Sequence, residues 1–308
     1  MQASTTAQAS DEHVLDLALV ADPLAEVGLH VTLYSLLHHL DRSKRARIHL
    51  LLRDYGGEAV ARLDATLAGY RDRFELQIHD LAGFELGRGR GVHYSRTPYA
   101  KLHVPLVVEA DRVLYLDADL LILTDMSAAF EVDLAAHAAA SIRPRHVGNA
   151  LPKDRSLLNS LSISDDRPYY KTGAVLFNVR RWRERNLSAL CFAFVDQYGG
   201  RLATADQTVF NAVLQDELTG LPERFNRSCY PSSPRYEIAP RDCVLHFAGA
   251  PKPWDLAGEL LHRNYPLFKL WLARTAFADY RSYHGLSWGR LRRTLVLGRA
   301  YAKVLGVA

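Results

Sequence analysis

The sequence predicts an α/β domain built on a mostly parallel sheet with helices on its faces. Three observations carry this. Short apolar runs of strand length alternate with helically patterned segments through the first 116 residues. Two of those runs end in aspartate, at Asp22 and Asp117, as in open sheets that present polar groups beyond the carboxyl ends of their strands. The 308 residues are 48% hydrophobic and 23% charged, enough apolar sequence for a sizeable core, which excludes a disordered, collagenous or disulfide-stapled chain.

The first element is the run VLDLALVA at 14–21, with the length and β-branched content of a buried strand. Residues 29–40 carry apolar side chains at helical spacing, a turn follows from Asp41, and 46–52 forms the second strand of a βαβ unit. A helix over 58–69 leads to a strand over 74–79, and the glycine- and arginine-rich 83–91 reads as a loop. A helical approach over 99–108 then enters a strand at 112–116. Beyond it the alternation is lost. Elements are expected at 138–141, 174–179, 187–198, 206–214 and 243–247. The stretch 143–170, broken by Pro144, Pro152 and Pro168, reads as a long loop of the kind that binds or moves.

Three cysteines, Cys191, Cys229 and Cys243, lack metal-site spacing and are an odd number, which fits a reducing compartment. No apolar run is long enough to span a bilayer. Residues 1–12 are small and polar, read as a disordered leader without the pattern of a secretory signal, and 13–280 as one folded body. Charge is uneven. The net +4 divides into +6 over 281–308, which holds no acid, and −2 elsewhere.

The most informative stretch is DRVLYLDADLLILTD, 111–125. Side chains at i and i+2 of an extended chain share a face, so Asp117 and Asp119 can converge on one hard divalent cation, which can also hold a diphosphate. An isolated Asp-x-Asp more often marks solvated acids in a turn. Here the apolar run before it places the pair where a strand leaves the core. Phosphohydrolases with an aspartyl nucleophile also use this pattern, but their loop continues with glycine or threonine rather than Leu120, Leu121 and Ile122. A second constellation, VLHFAGAPKPW at 244–254, sets His246, Gly249 and Lys252 within seven positions. A neutral imidazole can complete a metal site, glycine lets backbone approach phosphate, and an ammonium offsets the charge of a leaving diphosphate. His246 alone reads more readily as a hydrogen-bonded structural histidine.

With these residues the chain resembles the family 8 glycosyltransferases, which include glycogenin and the bacterial lipooligosaccharide galactosyltransferases, the bacterial branch most of all. The resemblance covers about 15–254. Its motifs stand in order: Val20-Ala21-Asp22, Thr97-x-Tyr99-Ala100-Lys101, LYLDADLL, Gly173-x4-Asn178, Asp206-Gln207 and HFAGAPKPW. It implies a GT-A fold and a UDP-sugar donor held through Mn²⁺, with Mg²⁺ as the other candidate. Position by position, it implies Asp117, Asp119 and His246 as metal ligands, with Ala118 between the acids in the donor site. Ala21 and Asp22 would meet uracil, Lys101 the nucleotide, and Gly249 and Lys252 the diphosphate. Asp206 and Gln207 would lie beside the donor sugar; read from the residues alone, Thr204 or Asp206 equally caps the helix that follows.

Family 8 enzymes retain anomeric configuration. Gln207, a poor nucleophile, stands where a double displacement would need a strong one, so same-face return is expected, with Lys252 favouring departure of UDP. The implied activity is transfer of galactose or glucose to a lipid-linked or cell-surface saccharide of lipopolysaccharide or capsule type. Two positions depart from the family pattern: Pro23, Leu24 and Ala25 replace an acidic or amide residue and an aromatic after Asp22, and Lys171-Thr172 replace an asparagine and a small residue before Gly173. They motivate a rival reading, an inactive nucleotide-sugar-binding or scaffold protein. Arg143, Arg145, Lys153, Arg155 and Arg167 are positioned to face an anionic acceptor or to form a solvated face.

The tail, 281–308, mixes Trp288, Leu291, Leu295, Leu297, Tyr301, Val304 and Leu305 with basic residues. Residues 287–307 read as a cationic amphipathic helix lying on an anionic leaflet, a helix packed on the body, or a nucleic-acid arm; aromatic and leucine spacing favours the membrane surface over nucleic acid. The implied location is cytoplasmic, peripheral on the inner face of the cytoplasmic membrane.

Overall fold

The structure, a computed structural model, describes residues 14–87, 96–134, 136–283 and 287–306. The expected leader, residues 88–91 of the glycine- and arginine-rich loop, and Val307 lie outside these residues.

A seven-stranded sheet forms the centre, in the order β3-β2-β1-β4-β7-β6-β8. Its strands are β1 (Val14–Ala21), β2 (Arg45–Leu52), β3 (Phe74–Asp80), β4 (Arg112–Leu116), β6 (Ala139–His146), β7 (Pro168–Asn178) and β8 (Leu218–Leu221). The half β3-β2-β1-β4 is parallel, because each return passes through a helix: α1 (Glu26–His39), α2 (Gly57–Leu67), and a 3₁₀ turn at Thr97–His103 running into α3 (Val104–Val107). β7 is antiparallel to both β4 and β6, and β8 is parallel to β6. β1 is buried along all but its first residue, as a strand covered on both faces must be.

One face packs Leu17, Leu19 and Ile48 on Leu29, Leu33 and Leu37 of α1 and Leu63 of α2. The other packs Ala18, Val113 and Phe177 on Tyr99, Trp182 and Phe210, from the 3₁₀ turn, α5 (Val179–Glu184) and α7 (Asp206–Val213), beside α6 (Leu187–Tyr198). A small second sheet, β5 (Leu120–Ile122), β10 (Val244–His246) and β9 (Arg227–Ser228), carries its own core with α9 (Tyr265–Leu272), in which Leu121, Leu245, Phe247, Trp254 and Phe268 meet.

The strands expected at 14–21 and 112–116 coincide with β1 and β4, and the element expected at 187–198, of open type, is the helix α6. The approach to β4 is mostly 3₁₀ rather than α. The long loop at 143–170 is corrected. Its ends belong to β6 and β7, and α4 (Pro152–Ser160) lies between, started by Pro152 at a position where a missing N–H costs nothing. Asp154 anchors α4, accepting from the Ala203 N–H at 2.7 Å and the Thr204 hydroxyl at 2.9 Å. Arg155 pairs with Asp165, and Arg167 with Asp216 at 2.5 Å, so these two cations are already engaged.

The tail is also corrected. After α8 (Gly258–Leu261) and α9 come two helices, α10 (Trp288–Val296) and α11 (Gly298–Leu305), broken at buried Leu297. Arg290 and Arg293 face the body, while Trp288, Leu295 and Leu305 are exposed. No helix among the described residues is long and apolar enough to cross a membrane.

Candidate active site

Asp117 leaves the end of β4 with its N–H donated to the Gly173 carbonyl at 2.9 Å. Two residues later the chain enters β5, so Asp117-Ala118-Asp119 bridge the large and small sheets. β10 runs antiparallel to β5 with His246 opposite Leu120, and the Phe247 N–H donates to the Asp119 carbonyl at 3.0 Å. A backbone ladder thus carries His246 to acids more than a hundred residues earlier. His246 Nε2 lies 3.2 Å from Asp119 Oδ1 and 3.9 Å from Asp117 Oδ2.

Parallel pairing of β9 with β10 sets Asn226, just before β9, against the imidazole, with 2.9 Å between Asn226 Oδ1 and His246 Nδ1. An amide oxygen only accepts, so Nδ1 carries the proton and Nε2 turns its lone pair to the carboxylates. Gly173 makes room: a Cβ there would lie 2.6 Å from His246 Nδ1.

These three side chains fit a divalent cation. One ligand atom from each lies within 4.8 Å of the others, the donors are two carboxylate oxygens and one imidazole nitrogen, and buried Asp119 Oδ1 has no hydrogen-bond donor. Burial pushes the Asp119 carboxyl up, but His246, in its doubly protonated form, and the Lys252 charge outweigh that and hold it well below the usual carboxylate range.

Two lysines complete the polar centre. Lys252 Nζ pairs with Asp119 and donates to the Phe247 carbonyl at 2.6 Å. Lys101 is buried, its Nζ 3.1 Å from Asp117 Oδ1, 2.7 Å from Asp206 Oδ2 and 4.6 Å from the centre of the Tyr115 ring. The Tyr115 hydroxyl donates to Asp117 Oδ1 at 2.6 Å and the Thr172 hydroxyl to Asp206 Oδ2 at 2.6 Å. Burial lowers the Lys101 pKa, but Asp117 and Asp206 more than reverse it; burial raises that of Asp206, Lys101 counters, and Asp117 reinforces the rise. The capping role weighed for Thr204 and Asp206 is absent: α7 has no side-chain cap.

Asp22 sits at the end of β1, its two oxygens accepting from the Leu24 N–H at 3.1 Å and the Thr97 hydroxyl at 3.0 Å. Ala21 is buried, its carbonyl taking the Arg53 N–H. The Trp254 indole donates to the Leu24 carbonyl at 2.9 Å, tying this turn to the loop that carries Lys252. Gly249, at φ +78°, faces the Tyr230 ring, and Gln207 is half-buried in the first turn of α7. The structure therefore gathers Asp117, Asp119, His246, Lys252, Lys101 and Asp206 into one network, whereas Ala21 and Asp22 belong to a neighbouring turn. Sequence reasoning missed Tyr115 and Asn226. The period of two along β4 places Tyr115 on the face of Asp117 and was a usable signal; nothing local marked Asn226.

The tail grips the same region. Arg293 Nε donates to Asp255 Oδ1 at 2.9 Å, and Asp255 Oδ2 accepts the Lys252 N–H at 2.8 Å. Arg290 donates to the Trp254 carbonyl at 3.2 Å, and the Tyr301 hydroxyl to the Leu256 carbonyl at 2.7 Å.

A central mostly parallel sheet whose strand ends present Asp-x-Asp, with a histidine and a lysine from a later strand and loop, defines a GT-A glycosyltransferase architecture. The family model for glycosyl transferase family 8 matches residues 24–257, and the chain belongs to that family. The chain is similar to general stress protein A of Bacillus subtilis (strain 168), 23% identical over 238 residues that cover 72% of this chain and 80% of that protein. It is similar to the lipopolysaccharide 1,2-glucosyltransferase of Escherichia coli (strain K12), 24% identical over 52% of this chain, and the match spans about half (50%) of that relative. In structure it resembles the galactosyltransferase LgtC, solved with donor and acceptor sugar analogues, with TM-score 0.67 and 22% identity over 85% of this chain and 96% of that one.

Proposed function

We propose that this protein is a metal-dependent, retaining glycosyltransferase that moves a hexose, galactose or glucose, from a UDP-sugar to a saccharide of lipopolysaccharide or capsule type. The observation that carries the reading is the convergence of Asp117, Asp119 and His246, with Asp119 Oδ1 buried and lacking a donor. Likeness to a lipopolysaccharide glucosyltransferase and to a galactosyltransferase supports the substrate class.

In this reading Asp117, Asp119 and His246 hold the cation, which when bound neutralises charge on the donor diphosphate. Lys252 exchanges Asp119 for the diphosphate and donates to the oxygen that gains charge as the sugar–phosphate bond breaks, with Gly249 letting the backbone approach. Ala21 and Asp22 receive the uracil side. Lys101 keeps Asp117 and Asp206 from repelling each other and so holds the floor of the sugar site. The bond from anomeric carbon to UDP breaks with its electron pair going to the diphosphate. The acceptor oxygen bonds to the same face, and its proton goes to the departing diphosphate. Gln207 lies beside the sugar, where an amide supports charge without a covalent intermediate.

The test is nucleotide release from UDP-, GDP- and CMP-sugars by the purified chain, with Mn²⁺ or with chelator. Manganese-dependent release of UDP from one or two sugars is the expected result; release that chelator leaves unchanged contradicts the metal role. The tail adds a location. Exposed Trp288, Leu291 and Leu295, with Arg299 and Lys303, compose a surface for an anionic leaflet of the cytoplasmic membrane, where a lipid-linked acceptor would be met. Trp288→Ser with Leu295→Ser then lowers retention on vesicles containing anionic lipid, and unchanged retention rejects this location.

A further inference from the structure

Among the described residues, one half-buried cation beside the proposed site has no ion-pair partner. Lys171, near the start of β7, donates from Nζ to the neutral Ser228 hydroxyl at 3.0 Å and forms no ion pair with the described residues. Ser228 is the register partner of His246 in the parallel β9–β10 pair, and register partners on adjacent strands point their side chains to the same face about 4.8 Å apart. The Lys171 ammonium is therefore bound to the side chain next to the imidazole on the neighbouring strand. Burial draws its pKa down, Glu223 partly restores it, and Arg145 lowers it further. Arg145, opposite Tyr169 in the β6–β7 ladder, is exposed and makes no ion pair among the described residues.

Four other cations of the site and its margin are engaged: Lys101 with Asp117 and Asp206, Lys252 with Asp119, Arg155 with Asp165, Arg167 with Asp216. Lys171 and Arg145 instead repel each other, a cost that an anion between them removes.

Strand order says which end of the site they serve. Asp22 ends β1, Asp117 ends β4, and β7 and β6 follow on the side away from β1. A nucleotide over β1 and β4 leaves its sugar and the incoming saccharide over β7 and β6.

We infer that the acceptor saccharide carries a carboxylate or phosphate group, recognised by Lys171 together with Arg145. This rests on the glycosyltransferase reading above. A charged acceptor makes charge-assisted hydrogen bonds that a neutral sugar cannot, which is worth about tenfold or more in affinity. The same chemistry can enter on the donor as a uronate, so the test has two arms.

In the acceptor arm, the full chain saturated with Mn²⁺ and UDP is titrated with glucose, glucuronate and glucose 6-phosphate by ligand-observed NMR. In the donor arm, UDP, UDP-glucose, UDP-galactose, UDP-glucuronate and UDP-galacturonate are compared by calorimetry with Mn²⁺. The expected result is a preference of about tenfold or more for glucuronate or glucose 6-phosphate over glucose, kept in Lys171→Arg, reduced in Arg145→Ala and abolished in Lys171→Met. A preference confined to UDP-uronates moves the charge to the donor and overturns the acceptor assignment. Equal affinities in both arms, with UDP still bound, overturn the inference and leave the glycosyltransferase reading standing. Absence of UDP binding in the presence of Mn²⁺ removes both.

Discussion

At the scale of single residues, the site is decided by who holds each charge. Asp119 is half-buried, with one enclosed oxygen lacking a donor, so its ionised form depends on His246 and Lys252, and on a cation where one binds. Asn226 sets the outcome at the imidazole by accepting from Nδ1. Asn226→Ala is expected to weaken Mn²⁺ binding by about 10- to 100-fold, as loss of a partner behind a metal-bound histidine does, while Asn226→Asp retains most of the affinity. Titration of Mn²⁺ followed by calorimetry measures this, and equal affinity in Asn226→Ala removes the tautomer argument. Asp117, Asp119, His246 and Lys252 were legible because their types and spacings are themselves chemical statements. Asn226 was not, because a lone asparagine in a loop gains meaning only when β9 sets it against β10.

At the scale of elements, strand ends and helix faces explain the geometry. Gly28 on α1 would place a Cβ 2.4 Å from the Trp254 ring and 2.5 Å from the Ala118 carbonyl, so this helix packs directly on the Asp-x-Asp turn and on the lysine loop. The tail helices close the other side. Arg293 is held by Asp255, whose second oxygen fixes the Lys252 backbone, so α10 positions the lysine loop without facing the donor itself. Arg293→Ala leaves the Asp255 carboxylate buried without its partner, at a cost of about 3 kcal/mol, and is expected to weaken UDP affinity as well. Arg299→Ala, on the exposed face of α11, is expected to change neither. Urea denaturation with UDP titration separates these outcomes; intact UDP affinity in Arg293→Ala would show the tail to be only structural. The sequence made the tail's composition plain but not its burial. Basic residues at helical spacing look alike whether they meet a membrane or a carboxylate such as Asp255.

At the scale of the molecule, legibility followed contact range. The half β3-β2-β1-β4 was readable because each strand leads to the next in the chain through one helical segment, so that the strand and helix patterns alternate in sequence. The half beyond Asp117 was not, since β7 returns antiparallel after α4, and β5 pairs with β10 across more than a hundred residues. The compact body also has an acid limit. His30 is buried between α1 and α2, 2.7 Å from the Thr66 hydroxyl, and burial, with Arg62 beside it, lowers its pKa to about 3. Unfolding returns it to its ordinary value of 6.5, so between those values the unfolded chain binds the extra proton and stability falls as pH falls. Full protonation of the unfolded chain costs the fold several kcal/mol at the lower end. Urea midpoints from pH 7 to pH 4 are expected to decline, and to decline less in His30→Asn; parallel declines would assign the acid limit to other groups.

The central claim is that Asp117, Asp119 and His246 hold a divalent cation through which UDP binds, and calorimetry of UDP with the full chain, with Mn²⁺ or with chelator, tests it most directly. Binding that requires Mn²⁺ and is lost in Asp119→Ala, with the circular dichroism spectrum unchanged, is the expected result. UDP binding that is indifferent to the metal, or that survives in Asp119→Ala, would contradict it.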